Sequence, residues 1–170
     1  MDSLGEWRER SNLAVRLVGG SRDHADLANR NPITERDTMQ FTLVEYEDDM
    51  PTVYAAADLV VCRSGASSVA ELAAIGVPAV LVPLPGAPGD HQTANARALV
   101  DAGAAVMVID GELDGARLRA EVDELIDQPG RLQDMSERAK GTARRNAAEA
   151  VVDLVAVHAR RPLPSDEEAE

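Results

Sequence analysis

The sequence predicts an α/β fold, a Rossmann-like doubly wound parallel sheet. Two features predict it. Five short apolar runs alternate with amphipathic stretches along the chain. Those runs carry little polar alternation, as expected of strands covered on both faces and joined by helical crossovers. Glycine or proline punctuates most of the junctions.

The first strand is expected at Leu13–Val18, stopped by Gly19-Gly20, where Asp23 can cap a turn. A second is expected at Phe41–Val44. Asp48 or Asp49 can cap a short helix with Pro51 in its first turn, running to Ala57. Asp58–Cys62 reads as a third strand, buried on both sides. Ser67 or Ser68 can cap a helix through Val69, Leu72 and Ala73, ended by Gly76. Ala79–Val82 is the fourth strand. Asp90 can cap a helix carrying Ala94, Ala98 and Leu99, ended by Gly103, before a fifth strand at Ala105–Ile109. Leu118, Val122 and Leu125 repeat at helical spacing up to the break at Gln128-Pro129-Gly130. Two more helices are expected, at about Arg131–Arg144 and Ala147–Ala159. A domain over residues 1–160 and a disordered acidic tail over 161–170 complete the reading.

The 170 residues suffice for one domain with a sizeable core and are short for two. The formal net charge of −13 repels phosphate backbones, which argues against nucleic acid as a partner, and disfavours electrostatic adhesion to anionic lipid. Only 2% of residues are aromatic, so the core must be built from Ala, Val, Leu and Ile. Cys62 is the one cysteine, which excludes an internal disulfide and a cysteine-based zinc site, and His24, His91 and His158 form no metal motif. The apolar runs are too short to span a bilayer, and residues 1–7 lack signal-peptide character. A soluble, cytoplasmic domain without metal or cofactor is the expectation.

Doubly wound sheets bind ligands beyond the carboxyl ends of their strands. After the third strand comes Arg63-Ser64-Gly65-Ala66-Ser67-Ser68, where small residues let an anion approach the N–H groups of a helix start. Glu71, one turn on, can accept from both hydroxyls of a ribose. The same spacing equally describes a tight strand–helix turn with a serine cap. After the fourth strand, a Pro/Gly loop leads to Asp90-His91-Gln92, whose polar groups suit sugar hydroxyls. Taken alone, Asp90 as a cap, His91 as a solvent-facing residue and Asn95 as a polar helix-face residue are the preferred readings. Tyr46-Glu47 can line a base pocket or simply begin a capped turn.

Taken together, these runs resemble a family. Tyr46–Met50, Tyr54–Ala66, Ser68–Leu72, Gly76–Ala79, Val82–Pro85 and Asp90–Ala96 are similar, in order and spacing, to the donor-binding half of the MurG family. These are peptidoglycan N-acetylglucosaminyltransferases of the two-domain GT-B fold, and the likeness runs from about Leu13 to Ala159. The resemblance implies that Arg63, Ser64, Gly65, Ala66, Ser67 and Ser68 cradle the diphosphate of UDP-GlcNAc and that Glu71 holds the ribose. It implies that Asp90, His91 and Gln92 read the sugar and that Tyr46 and Glu47 lie beside the uracil. Glu47 departs from the family, which usually has an apolar residue there.

The resemblance further implies that the acceptor-binding domain, and with it the catalytic base, lies outside this sequence. The lipid-linked acceptor would be met at the inner membrane surface. Gly19-Gly20-Ser21 matches the loop after the family's second strand, so the first, central strand is expected to be absent. Met1–Ser11 would be the tail of the first crossover helix. A truncated chain of this kind is expected to self-associate through exposed sheet edges. A stand-alone donor subunit of a two-chain transferase and a non-catalytic nucleotide-sugar-binding module are the alternatives.

Overall fold

The structure, a computed structural model, describes residues 1–144 and 146–159. Its elements run α1 (Asp2–Trp7), β1 (Ala14–Val18), α2 (Gly20–Asn29), β2 (Gln40–Val44), α3 (Met50–Ala56), β3 (Val60–Cys62), α4 (Ala66–Ile75), β4 (Ala79–Leu81), α5 (His91–Asp101), β5 (Ala105–Met107), α6 (Gly115–Ile126), α7 (Arg131–Thr142) and α8 (Ala147–His158). Each expected strand and helix has its counterpart. The expected acidic tail lies outside the described residues. Among them, no helix is long and apolar enough to cross a membrane.

All strand pairs are parallel, in two pieces. β1 pairs with β2, Ala14 opposite Gln40 and Val18 opposite Val44. β4 lies between β3 and β5, with Val60 and Ala105 flanking Ala79. No described strand bridges β1 and β3. The break falls where the sequence reading leaves out the first, central strand.

Local chemistry explains most element ends. The Asp49 carboxylate accepts from the Thr52 N–H at 3.2 Å and caps α3, whose first turn holds Pro51. Asp114 does the same for α6, accepting from the Arg117 N–H at 2.7 Å. Helix α4 ends on Gly76 at φ 87°. That left-handed backbone suits glycine, and a β-carbon there would also run into the stem of Lys140. Two expected caps differ. The N-cap of α4 is Gly65, in extended conformation, and neither Ser67 nor Ser68 caps it. Gly19 is the N-cap of α2, while Asp23 sits inside its first turn. In both places the chain enters the helix at the glycine, ahead of the serines and the aspartate, and at Gly19 a β-carbon would meet the Leu27 side chain at 2.8 Å.

The core forms three connected clusters. Leu72, Leu81, Leu99 and Ala139 fill one face of the three-stranded sheet, beneath α4, α5 and α7. Val80, Val108, Leu125 and Met135 fill the other face against α6 and α7. Leu4, Trp7, Met39 and Val122 join α1 and α6 to the two-stranded piece. Leu59, ahead of β3, touches both of the latter clusters and links the halves. Polar contacts fasten α1 and the residues just after it to α6, among them an ion pair of Glu6 with Arg119 at 3.3 Å. The Ser3 hydroxyl donates to the Gly115 carbonyl at 3.0 Å, the Trp7 indole N–H donates to Asp123 at 2.9 Å, and Arg10 bridges Asp123 and Asp127.

Burial corrects one expectation. Only β4 is buried along its whole length; β1 and β2 alternate between exposed and half-buried residues, and Val61 of β3 is exposed. The strands are apolar enough to be covered twice, but the two-stranded piece has helices on one face only. Helix α8 buries none of its residues, and its Val151, Leu154 and Val157 are exposed.

Candidate functional site

The carboxyl ends of β3 and β4 open on two loops that each feed a helix start. The loop after β3 is Arg63-Ser64-Gly65, leading straight into α4. Its first-turn N–H groups, from Ala66 onward, have no partner within the helix. Arg63 does not reach freely over this edge. Its guanidinium pairs with Asp110 at 2.5 Å and donates to the Val82 and Pro83 carbonyls at 3.3 Å, spanning the ends of all three strands. Ser64 is fully buried, and its hydroxyl donates to the Gln92 carbonyl at 2.8 Å. Ala66 and Ser67 are exposed and Ser68 is half-buried.

The loop after β4 turns through Gly86 and Gly89 into α5. Asp90, the N-cap, is the one non-glycine residue at positive φ, 52°, among the described residues. Such a conformation costs a side-chain-bearing residue free energy and is found where surrounding contacts hold it. The contact here is the Thr93 hydroxyl, which donates to the Asp90 carboxylate at 2.7 Å. Asp90 therefore marks the helix start but makes no bond to its main-chain N–H groups. His91 is exposed, with Nδ1 2.7 Å from the Pro88 carbonyl oxygen. Gln92 is half-buried and accepts from the Leu84 N–H at 2.9 Å through Oε1.

One more bond joins the loops. The Asn95 Nδ2 donates to the Ser64 carbonyl at 3.1 Å. The loops carrying Arg63–Ser68 and Asp90–Gln92 are thus brought together through Ser64. Glu71 is exposed in the second turn of α4. Behind that helix, burial raises the pKa of the Tyr54 phenol, and the acidic groups Cys62 and Glu71 add to the rise; a hydrogen bond with Ser68 opposes it. Burial also pushes the Cys62 thiol up to about 11, so it stays protonated and unreactive at neutral pH.

Tyr46 and Glu47 follow β2 in the two-stranded piece. Tyr46 is 76% exposed. The Glu47 carboxylate pairs with Arg16 of β1 at 2.6 Å and also accepts from the Asp49 N–H, so its bonds run within that piece and not to the loops after β3 and β4. Two surface depressions, of about 440 and 350 Å³, lie elsewhere, one beside Asp2, Asp114 and Arg119 and one beside Gly76 and Lys140.

Sequence reasoning missed Asp110 and Arg16, and it set Asn95 aside as a polar residue on a helix face. For Asn95 a signal existed. Gln92, Asn95, Ala96 and Leu99 fall on one helical face, and that face is the buried one, with Ala96 and Leu99 at 0% and 1% exposure. Polar groups at the head of an apolar stripe point at the neighbouring strand ends.

Comparison with known proteins was made against this geometry. The glycosyltransferase family 28 C-terminal domain matches residues 2–151. The chain is 48% identical over 154 residues to a UDP-N-acetylglucosamine–N-acetylmuramyl-(pentapeptide) pyrophosphoryl-undecaprenol N-acetylglucosamine transferase of Myxococcus xanthus, covering 91% of this chain and 39% of that protein. It is 43% identical over 151 residues to the protein of that name from Acidothermus cellulolyticus, covering 88% and 41%. The chain thus spans about two fifths of the length of these relatives. Among solved structures it is similar to Acinetobacter baumannii MurG, with a TM-score of 0.76 and 32% identity over 90% of this chain and 45% of that one. The glycosyltransferase VinC, solved with dTDP, shares the fold at a TM-score of 0.67 and 17% identity, over 91% of this chain and 36% of that one.

Proposed function

The chain belongs to the glycosyltransferase family 28 C-terminal domain family, and from that membership we propose that it is the donor-binding half of a GT-B N-acetylglucosaminyltransferase, holding UDP-GlcNAc. The observation that carries the reading is the pairing of two helix starts, α4 and α5, at one sheet edge through Ser64. A helix start offers unpaired N–H groups and a partial positive charge to a diphosphate. On this reading the N–H groups from Gly65 to Ser68 hold the diphosphate, and Glu71 accepts from the ribose hydroxyls. Asp90, His91 and Gln92 face the sugar, while Tyr46 and the main chain at Glu47 lie beside the base. Arg63 acts on the phosphates through the loop it braces, because its own guanidinium is committed to Asp110.

In the transfer, an acceptor hydroxyl attacks C1 of the sugar. The bond from C1 to the β-phosphate oxygen breaks with inversion, UDP departs with the electron pair, and a base takes the hydroxyl proton. The α4 N–H groups stabilise the charge gathering on the departing diphosphate. The base, and the site for a lipid-linked peptidoglycan precursor, belong to an acceptor-binding half, whether a further domain or a partner chain. That acceptor would bring the complete enzyme to the cytoplasmic face of the membrane.

The test is calorimetry of the 170-residue chain with UDP and UDP-GlcNAc. Both should bind the wild type, and Glu71→Ala should weaken UDP about tenfold or more by removing a charged acceptor. Equal UDP affinity in wild type and variant removes Glu71 from the ribose site.

A further inference from the structure

The two loops do more than lie side by side. The Ser64 hydroxyl donates to the Gln92 carbonyl at 2.8 Å, and the Asn95 side chain donates back to the Ser64 carbonyl at 3.1 Å. One residue of the β3–α4 loop is gripped through both its side chain and its main chain by successive turns of α5. Ser64 is fully buried, so neither bond can be exchanged for water without opening the loop.

The Ser64 carbonyl belongs to the peptide that joins Ser64 to Gly65, the N-cap of α4. In a planar trans peptide the C=O and the N–H point in opposite directions. Fixing the Ser64 carbonyl toward α5 therefore fixes the Gly65 N–H the other way, at the head of the helix start. Gly65 has no side chain to resist a flip of that peptide, and a β-carbon on it would meet nothing closer than the Ser68 hydroxyl at 3.9 Å. The restraint must come from outside the loop, and Asn95 supplies it.

We propose that Asn95 is a positioning residue for nucleotide binding, holding the Ser64–Gly65 peptide so that the start of α4 is set for a diphosphate although Asn95 itself sits on the helix of the sugar loop. The proposal rests on the donor-binding reading above. It separates Asn95 from its neighbour Gln92. On the donor-binding reading the Gln92 side chain, which holds the loop after β4 through the Leu84 N–H, serves the sugar, whereas Asn95 acts through the phosphate loop and matters for UDP alone.

The experiment uses the 170-residue chain, with titrations of UDP and UDP-GlcNAc and a ¹H–¹⁵N spectrum, on wild type, Asn95→Asp, Asn95→Ala and Gln92→Ala. Asn95→Asp keeps the shape of the side chain and removes the donor, leaving a carboxylate facing a carbonyl. It should weaken UDP and UDP-GlcNAc alike by about tenfold and move the Gly65 amide resonance while those of β5 stay in place. Asn95→Ala should do the same, and stands in if the aspartate variant does not fold. Gln92→Ala should weaken UDP-GlcNAc and leave UDP unchanged. Wild-type binding of UDP with full retention in the Asn95 variants overturns this proposal alone. So does a loss of affinity with the Gly65 resonance unmoved, which would mark a general packing role. A wild type that binds neither nucleotide overturns the donor-binding reading and this proposal together, and the Gly65 resonance still reports whether the grip on the peptide exists.

Discussion

β1 and β4 are built from much the same residues and come to different ends. Ala79, Val80 and Leu81 of β4 are all 0% exposed, while β1, Ala-Val-Arg-Leu-Val, has no fully buried residue. The difference is in their neighbours. β4 is hydrogen-bonded along both edges and packed on both faces. β1 is hydrogen-bonded along one edge, to β2, and packed against the cluster of α1 and α6 on one face. Burial is conferred by what surrounds a strand, and an apolar sequence only makes it possible. Arg16 fits this view, since a charge at the centre of β1 is tolerated because its face of the sheet is open and Glu47 pairs with it.

The comparison can be broken most directly by carving a cavity in each half. Leu81→Ala should cost about 3–5 kcal/mol, and Leu17→Ala less than half of that, because a half-exposed site loses less transfer energy and leaves less of a void. Urea unfolding measures both, and equal losses would mean that β1 is as deeply held as β4. The anchor of the weaker half gives a smaller effect. Trp7→Phe removes the indole bond to Asp123 and should cost about 1 kcal/mol. Its sharper signature is in hydrogen exchange, where β1 and β2 amides should lose protection while those of β4 keep theirs. Uniform loss across both sheets would make the two halves one cooperative unit.

The smallest effect lies in the connector between the halves. The Asp49 carboxyl is held below its ordinary range, first by the Thr52 hydroxyl and then by the Thr52 N–H. A carboxyl whose pKa is lowered by folding contributes stability that is full above its unfolded value and fades as pH falls through the folded one. The α3 cap should therefore weaken below about pH 4. Exchange of the Thr52 amide, corrected for its intrinsic pH dependence, should speed up as pH falls below about 4 in the wild type and stay level in Asp49→Asn.

What could be read from sequence divides along the same line. Runs of apolar residues and their punctuation are local, so the strands, the Asp49 cap with Pro51 and the Gly76 stop were legible in order. The loops at Arg63–Ser68 and Asp90–Gln92 could be placed after the third and fourth strands from the same punctuation, but their residues alone describe a capped turn as well as a ligand site, and only the family resemblance chose between the two. The partners were not legible. Asp110 for Arg63, Arg16 for Glu47 and Ser64 for Asn95 lie some 30 or more residues apart in sequence, and nothing in a local pattern says which strand end a side chain will meet. The burial of β3 was misjudged for the same reason, since Val61 looks outward from an edge whose neighbour no pattern specifies.

Lys140 has a use beyond filling space over Gly76. It is the only lysine in the sequence and it is exposed. Its stem lies against the C-terminal end of α4, next to the chain entering β4, whereas the proposed donor site lies at the opposite ends of the strands. An amine-reactive dye or surface therefore has two points of attachment, this side chain and the chain's own N-terminus. With the terminus blocked, coupling through Lys140 sets every molecule in one orientation, with the strand ends that carry Ser64 and Gln92 turned toward solution.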